Sequence, residues 1–271
     1  MGRWCSVDAD RLDVERVLRA VRAELASCAF AYLPTVGADP QGEGLVAVAR
    51  ALGPPYTMAG EDRWPGVLET RPSRNAPRAA PFDRSEAIGW HNDFSTHATR
   101  PRLSLAYVDR ADPRGPPRGA WRVASCDRVL AALEASTGGR AVVQFLSEAL
   151  LPYSFASDTP PSFFRAIERR GASPDRPGLR FYGRAMRDGA RAVHGQVPEE
   201  VETAIQAVEG AADRVGLIVA SQAGDLLVTD NWRCLHDRLE QTVDSPLPLR
   251  RSLLCFVGEG DSQAKVRRVT R

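Results

Sequence analysis

The sequence lacks the features that mark several large classes of protein. Its 271 residues contain no run approaching the roughly 20 apolar residues that a membrane helix needs. The five cysteines are odd in number and scattered, with no CxxC pair, which argues against a disulfide framework or a zinc site. A formal net charge of +2 gives no electrostatic reason to expect a nucleic-acid partner. We therefore expect a small-molecule substrate and neither a membrane nor a nucleic-acid partner.

Signals for export and for the commonest enzyme motifs are missing as well. The first residues turn acidic at Asp8 before any apolar stretch, so a secretory leader is not expected. Together with unpaired thiols, this favours a cytoplasmic protein. The sequence has no P-loop, no GxGxxG after a strand-like run and no GxSxG. It carries no signal for an oligomeric state.

What the sequence does contain is a helical N-terminal part and apolar runs on both sides of a less regular middle. Helical spacing of apolar residues predicts helices at about 8–28, 42–52, 127–135 and 198–213. Apolar runs predict strands at 30–33, 87–90, 103–108, 120–124, 141–146, 179–182, 215–220, 226–228 and 253–257. Proline-rich stretches predict loops at 71–85 and 152–162.

This order of elements favours a mostly antiparallel β barrel or sandwich with packed helices. We expect one domain over residues 1–271. Its N-terminal helices would lie within about 8–52, and a middle insertion would cover about 136–213.

The first motif with chemical meaning is Trp90-His91-Asn92-Asp93, at the end of an apolar run. On a strand, residues i and i+2 project from the same face, so His91 and Asp93 can point at one site. A histidine and a carboxylate in this arrangement can supply two ligands of the 2-His-1-carboxylate triad of non-haem Fe(II). The alternative is an ordinary surface pair, because HxD occurs often by chance.

The second motif runs from Gly224 to Arg238 and reads GDLLVTDNWRCLHDR. A turn leads into an apolar strand, a polar Asp-Asn bend follows, and His236 lies just beyond the bend. If this strand lies beside that of His91, His236 becomes the third metal ligand. A core histidine without a ligand role is the alternative.

The third motif is Leu249-Arg250-Arg251-Ser252, which opens the last strand. Because side chains alternate along a strand, only one of Arg250 and Arg251 can face inward. An inward guanidinium offers a bidentate partner to a carboxylate such as the distal end of 2-oxoglutarate. Two solvated charges at a strand end are the alternative.

In this order, the HxD, the GDLLxxDNxRxxHxR run and the following arginine resemble the Fe(II)/2-oxoglutarate-dependent oxygenases. The chain is most similar to the taurine dioxygenase and clavaminate synthase-like branch, and within it to the small carbapenem synthase type. The resemblance covers essentially the whole chain. It implies a double-stranded β-helix (jelly-roll) fold. It also implies that His91, Asp93 and His236 hold Fe(II) and that Arg250 binds 2-oxoglutarate.

The resemblance further implies oxidation of a C–H bond with Fe(II), 2-oxoglutarate and O2. The outcome could be hydroxylation, desaturation, epimerisation or cyclisation. The expected substrate is a small, carboxylate-bearing, amino-acid-derived or β-lactam metabolite of bacterial secondary metabolism, including antibiotic biosynthesis. The candidate substrate contacts are Asn92, Phe94, Ser95, Arg180 and Arg184.

Two positions depart from the family pattern. A family threonine some 25–30 residues after the HxD corresponds, without gaps, to Trp121, which becomes a candidate co-substrate contact. A family arginine four residues after Arg250 is replaced by Leu254. These departures leave an alternative function, in which a barrel of the same fold has a lost or altered cofactor site and acts as a binding protein.

Overall fold

The structure is a computed structural model that describes residues 11–56, 67–72, 81–155, 160–168 and 177–259. Its α-helices are α1 (Val14–Ser27), α2 (Glu43–Leu52), α3 (Cys126–Glu134), α4 (Gly139–Glu148), α5 (Gly183–His194) and α6 (Glu199–Val215). Its strands are β1 (Phe30–Leu33), β2 (Leu68–Thr70), β3 (Leu103–Arg110), β4 (Trp121–Ser125), β5 (Leu151–Tyr153), β6 (Ser162–Phe164), β7 (Ile167–Glu168), β8 (Gly178–Leu179), β9 (Leu217–Val219), β10 (Leu226–Asp230), β11 (Cys234–Arg238) and β12 (Arg251–Val257). Among the described helices, none is both long and apolar enough to cross a membrane.

The largest sheet is antiparallel and has the strand order β1-β10-β3-β12-β2. One of its faces packs on α1 and α2. A buried apolar cluster fills the space between this face and the two helices. Because side chains alternate along β12, Leu253, Cys255 and Val257 point into this cluster. The intervening residues Leu254 and Phe256 line a cavity on the other face.

A second sheet has the order β11-β4-β9. His91 extends it beyond β11, because His91 forms isolated antiparallel bridges with His236 on one side and Tyr182 on the other. Helices α3 to α6 pack against this sheet through a buried cluster that includes Trp90 and Leu235. These helices therefore cover one face of the second sheet.

Most of the predicted elements are confirmed within a few residues. Residues 8–10 of the first predicted helix, and residues 73–80 and 156–159 of the predicted loops, lie outside the described residues. The predicted 179–182 strand is reduced to β8, and the predicted loop at 152–162 is flanked by the paired strands β5 and β6. The fold is mostly sheet with packed helices, as expected.

The predicted strand at 141–146 is wrong, because these residues lie in α4. The β-branched pair Val142-Val143 favoured a strand. In the structure, Val142, Val143 and Leu146 pack against the same cluster at helical spacing. Tertiary packing of this apolar stripe therefore overrides the local preference.

The predicted strand at 87–90 also does not form. Gly89 adopts a φ of +89°, which interrupts an extended chain. The Ile88 N–H donates to the Arg238 carbonyl oxygen at 3.1 Å, but the Gly89 N–H donates to a side chain, the Asp237 carboxylate, at 2.8 Å. The segment lies beside β11 without completing a regular ladder.

Candidate active site

Side chains of both sheets line one cavity of about 850 Å³. This volume lies within the range of ligand-binding clefts. His91, Asp93 and His236 stand on its wall. Trp121 and Arg250 line the same cavity.

The ligand atoms of His91, Asp93 and His236 all lie within 4.8 Å of one another. One Asp93 oxygen is 3.7 Å from His91 Nε2, and the other is 3.3 Å from His236 Nε2. The two imidazole centroids are 4.3 Å apart. Two imidazoles and one carboxylate in this arrangement fit a facial triad for non-haem iron.

The orientation of His91 is set by a backbone carbonyl. His91 Nδ1 lies 2.8 Å from the Gly89 carbonyl oxygen, so Nδ1 carries the proton and Nε2 is left to face Asp93. Burial opposes a charge on His91, but the Asp93 carboxylate raises the pKa of the imidazole above its ordinary value. Burial likewise opposes a charge on Asp93, yet His236 and His91 hold the pKa of this carboxyl well below its usual range.

Asp93 reaches the site through a turn and not through strand alternation. Phe94, the next residue, has a φ of +56°. The Asn231 side chain accepts a hydrogen bond from the Asp93 N–H at 2.8 Å and donates to the Asp93 carbonyl oxygen at 3.0 Å. This clamp, made by the bend before β11, fixes the backbone from which the carboxylate projects.

A buried ion pair supports the triad from behind. The Asp237 carboxylate, which is fully buried, accepts hydrogen bonds from Arg122 Nε and Nη2 at 2.9 and 2.7 Å. Its other oxygen accepts the Gly89 N–H at 2.8 Å. Asp237 thereby holds Gly89, the residue whose carbonyl orients His91.

The two consecutive arginines face opposite ways. Arg250 is buried, lines the cavity and donates to Ser221 Oγ at 3.0 Å. Arg251 does not line the cavity; its guanidinium pairs with Asp109 at 3.0 Å and Glu69 at 2.7 Å. Burial, followed by the charge of Arg238, lowers the pKa of Arg250 to about 9, so its guanidinium stays charged at neutral pH.

Both positions that depart from the family pattern lie on the cavity wall. Trp121 is buried at the start of β4, and its ring centroid is 5.8 Å from the Arg250 guanidinium carbon. An added Cβ at Gly119 would lie 2.7 Å from Arg250 Cδ, so only glycine allows this close approach. Leu254 adds an apolar side chain to the same wall.

Three of the five candidate substrate contacts line the cavity: Asn92, Phe94 and Arg184. Of these, Asn92 uses its side-chain amide for hydrogen bonds to the backbone. Its amide donates to the carbonyl oxygens of Asn231 at 3.1 Å and Cys234 at 2.8 Å and accepts the Phe181 N–H at 2.9 Å. Asn92 therefore joins three segments around the site.

Ser95 and Arg180 are placed differently from the expectation. Ser95 is fully buried and does not line the cavity. Arg180 pairs with Glu168 at 2.8 Å and donates to the carbonyl oxygens of Ser95 and His97 at 2.9 and 2.6 Å. Because these groups engage its guanidinium, Arg180 holds the segment that follows Asp93.

Sequence reasoning did not single out several residues of the cavity wall, among them Arg84, His97, Tyr182 and Arg238. Arg238 donates to the backbone carbonyl oxygens of Leu239, Arg84 and Glu86. Its position two residues after His236, on the same face of β11, was the signal available in the sequence. No comparable sequence pattern marks Tyr182.

Two imidazoles and a carboxylate on a cavity wall, with a buried guanidinium along the same wall, match the donor set of a non-haem iron dioxygenase. Residues 2–253 match the family described as taurine catabolism dioxygenase TauD, TfdA family. The chain belongs to this family and is an Fe(II)- and 2-oxoglutarate-dependent dioxygenase. No curated protein matches the chain.

Solved structures of low sequence identity share the fold. An asparagine oxygenase, crystallised with Fe(II), (2S,3S)-3-hydroxyasparagine and succinate, is 20% identical with a TM-score of 0.68, over 90% of this chain and 79% of that one. The non-haem iron oxygenase OrfP, with Fe, succinate and (3S)-hydroxy-L-Arg, is 17% identical with a TM-score of 0.64, over 94% and 84%. PvcB from Pseudomonas aeruginosa is 16% identical with a TM-score of 0.64, over 92% and 82%.

Proposed function

We propose that His91, Asp93 and His236 hold the iron of this dioxygenase. The observation that carries the proposal is the convergence of their ligand atoms within 4.8 Å. His91 Nε2 is left available because Nδ1 bonds to the Gly89 carbonyl oxygen. With 2-oxoglutarate and O2, the bound iron supplies the oxidising power, and 2-oxoglutarate is converted to succinate and CO2.

We further propose that Arg250, and not Arg251, binds the distal carboxylate of 2-oxoglutarate. Arg250 is buried, and its Nε has no hydrogen-bond partner among the described residues. A carboxylate ligand would satisfy this donor and compensate the buried charge. Trp121 then forms the wall beside the co-substrate, where its bulk excludes water.

The proposed reaction is oxidation of a C–H bond in a small, carboxylate-bearing, amino-acid-derived metabolite. The asparagine oxygenase and OrfP structures contain hydroxylated amino acids, which supports this substrate class. Two antiparallel sheets with a cavity between their side chains support the jelly-roll arrangement. Membership of the clavaminate and carbapenem synthase branch remains a prediction, as does a role in bacterial secondary metabolism.

The test is anaerobic titration with Fe(II) followed by 2-oxoglutarate. The wild-type protein should bind one Fe(II) and develop the visible charge-transfer absorption of an iron–2-oxoglutarate complex. His236→Ala and Asp93→Ala should bind no iron, because each removes one of three ligands. His194→Ala, at an exposed end of α5, is the matched control and should behave as wild type. Normal iron binding and turnover by Asp93→Ala would overturn the assignment.

A further inference from the structure

The cavity wall next to His91 carries a polar group without a partner. Tyr182 is 3% exposed, lines the cavity, and its hydroxyl has no hydrogen-bond partner among the described residues. A buried hydroxyl that makes no hydrogen bond is unfavourable. Its ring centroid is 5.3 Å from that of His91. A ligand in the cavity would therefore find an unused donor close to the proposed metal site.

Two arginines line the cavity near this hydroxyl. Arg184 is exposed and forms no ion pair or hydrogen bond with another described residue. Arg84 lines the cavity as well. Burial raises the pKa of the Tyr182 phenol; Arg184 and Arg84 lower it, and Asp188 and Asp237 raise it further. Tyr182 thus remains a neutral donor, with Arg184 as the exposed cation beside it on the cavity wall.

The start of α5 adds to this positive environment. Tyr182 is the residue before the helix, and no side chain caps the first N–H groups of α5. The N-terminal end of a helix carries partial positive charge that favours an anion. Tyr182 and Arg184, which both line the cavity, therefore lie at the start of this helix.

This region lies apart from Arg250. His91 bridges to Tyr182 on one side and to His236 on the other, and β11 then pairs with β4, which begins at Trp121. In the order of strands, Tyr182 and Trp121 consequently lie on opposite sides of the histidine pair. A ligand held at Tyr182 would leave the Arg250 end of the cavity available to 2-oxoglutarate.

We propose that Tyr182 and Arg184 form a second anion subsite that holds the carboxylate of the substrate. This inference rests on the proposed function and assigns the two anions of the reaction to different ends of the cavity. A planar guanidinium and one phenolic O–H match the acceptor pattern of a carboxylate. The Phe155 ring, 5.8 Å from that of Tyr182, provides an apolar wall for the body of the substrate.

The test measures binding of matched probes to protein loaded anaerobically with Fe(II) and 2-oxoglutarate. N-acetyl-L-phenylalanine and its carboxamide differ in charge but hardly in shape, so the ratio of their dissociation constants reports the carboxylate contact. Equilibrium dialysis should give a ratio on the order of tenfold in favour of the carboxylate for wild type. Arg184→Gln should bring the ratio close to one, and Tyr182→Phe should lower it several-fold.

Two controls separate binding from folding. Arg191→Gln, on the exposed side of the same helix, should leave the ratio unchanged. Tyr182→Phe removes a hydroxyl that has no partner among the described residues, so the melting temperature of this variant should not fall, whereas a merely structural role of the hydroxyl would lower it.

Four results would overturn the inference: equal binding of the two probes by wild type, no binding of the carboxylate, a preference that survives Arg184→Gln, or displacement of 2-oxoglutarate by the probe. The same dialysis follows 2-oxoglutarate itself. A wild-type protein that binds no 2-oxoglutarate would count against the proposed function, whereas retained 2-oxoglutarate without carboxylate preference would count against the subsite alone.

Discussion

The Asp237 carboxylate accepts a hydrogen bond from the Gly89 N–H at 2.8 Å, and the carbonyl of the same Gly89 orients His91. Asp237 follows His236 directly in the sequence, so adjacent residues serve the site from two directions. His236 is a proposed metal ligand, and Asp237 fixes Gly89, the residue whose carbonyl orients the other histidine. Loss of a group of this kind typically costs about 10- to 100-fold in metal affinity or activity.

Replacing Asp237 should therefore weaken iron binding without removing a ligand. Asp237→Ala leaves the Gly89 N–H and Arg122 without this partner, and we expect the Fe(II) dissociation constant to rise on the order of tenfold. Asp237→Asn keeps an acceptor for the Gly89 N–H, so its Fe(II) dissociation constant should rise less. Competition with a chelator measures both, and Glu15→Ala, which removes an exposed carboxylate of α1, is the control. Unchanged affinity in folded Asp237→Ala would contradict this role.

Because Arg250 and Arg251 face opposite ways, replacing Arg250 should impair binding of 2-oxoglutarate, whereas replacing Arg251 should impair stability. Arg250→Met should raise the dissociation constant of 2-oxoglutarate at least about 30-fold, because a buried charged partner is lost. Arg251→Met should leave that constant within about threefold and lower the free energy of unfolding by about 1 kcal/mol through its lost ion pairs. Anaerobic titration and urea unfolding measure the two quantities. A larger binding defect in Arg251→Met would reverse the assignment.

Trp121 should report on the co-substrate. Its ring lies 5.8 Å from the Arg250 guanidinium carbon, so a carboxylate bound to Arg250 changes the surroundings of the indole. We expect 2-oxoglutarate to alter the intrinsic fluorescence of wild-type protein and Trp121→Phe to lack most of this change. Titration of both proteins with Fe(II) present provides the measurement. A signal of full size in Trp121→Phe would place the co-substrate elsewhere.

The link between α5 and α6 predicts a dependence of stability on pH. Arg187 on α5 pairs with Glu202 at 2.9 Å and Glu209 at 3.0 Å on α6. Hydrogen bonding from Arg187 lowers the pKa of Glu202, so this contribution is present above the unfolded-state pKa of about 4.3 and is lost as the pH falls through the lower folded value. Arg187→Met should cost about 1 kcal/mol at pH 7.

Urea unfolding at pH 7, 5, 4 and 3 tests this sign. The difference between wild type and Arg187→Met should shrink as the pH falls, since both proteins then lack the charged Glu202. Arg191→Met, which removes an exposed pair with Asp188, should differ little from wild type at any of these values. A difference that stays constant down to pH 3 would contradict the ion-pair account.

The sequence predicted the elements that carry a clear apolar pattern. The strands β3, β10 and β12 were predicted from apolar runs, and the helices α2 and α6 from helical spacing of apolar residues. At 141–146 the same rule failed, because a short apolar run with two valines fits a strand and a buried helix equally well. Long-range packing against the cluster of α3 and α6 decided between them.

The candidate site shows a similar division. His91, Asp93 and His236 converge as the motifs predicted, yet Asp93 does so through a turn held by Asn231, which no local pattern encodes. Alternation predicted that only one of two arginines faces inward, and the structure shows that it is Arg250. Tyr182 could not be found from sequence, since its bridge to His91 joins residues far apart in the chain.

The clamp between Asn231 and Asp93 joins residues 138 positions apart. During synthesis, His91 and Asp93 are complete long before the ribosome reaches Asn231 and His236. A nascent or truncated chain that ends before them has His91 and Asp93 but neither His236 nor the clamp that fixes Asp93. Under the proposed assignment, the chain can therefore take up iron only after the strand that carries His236 has been made and folded.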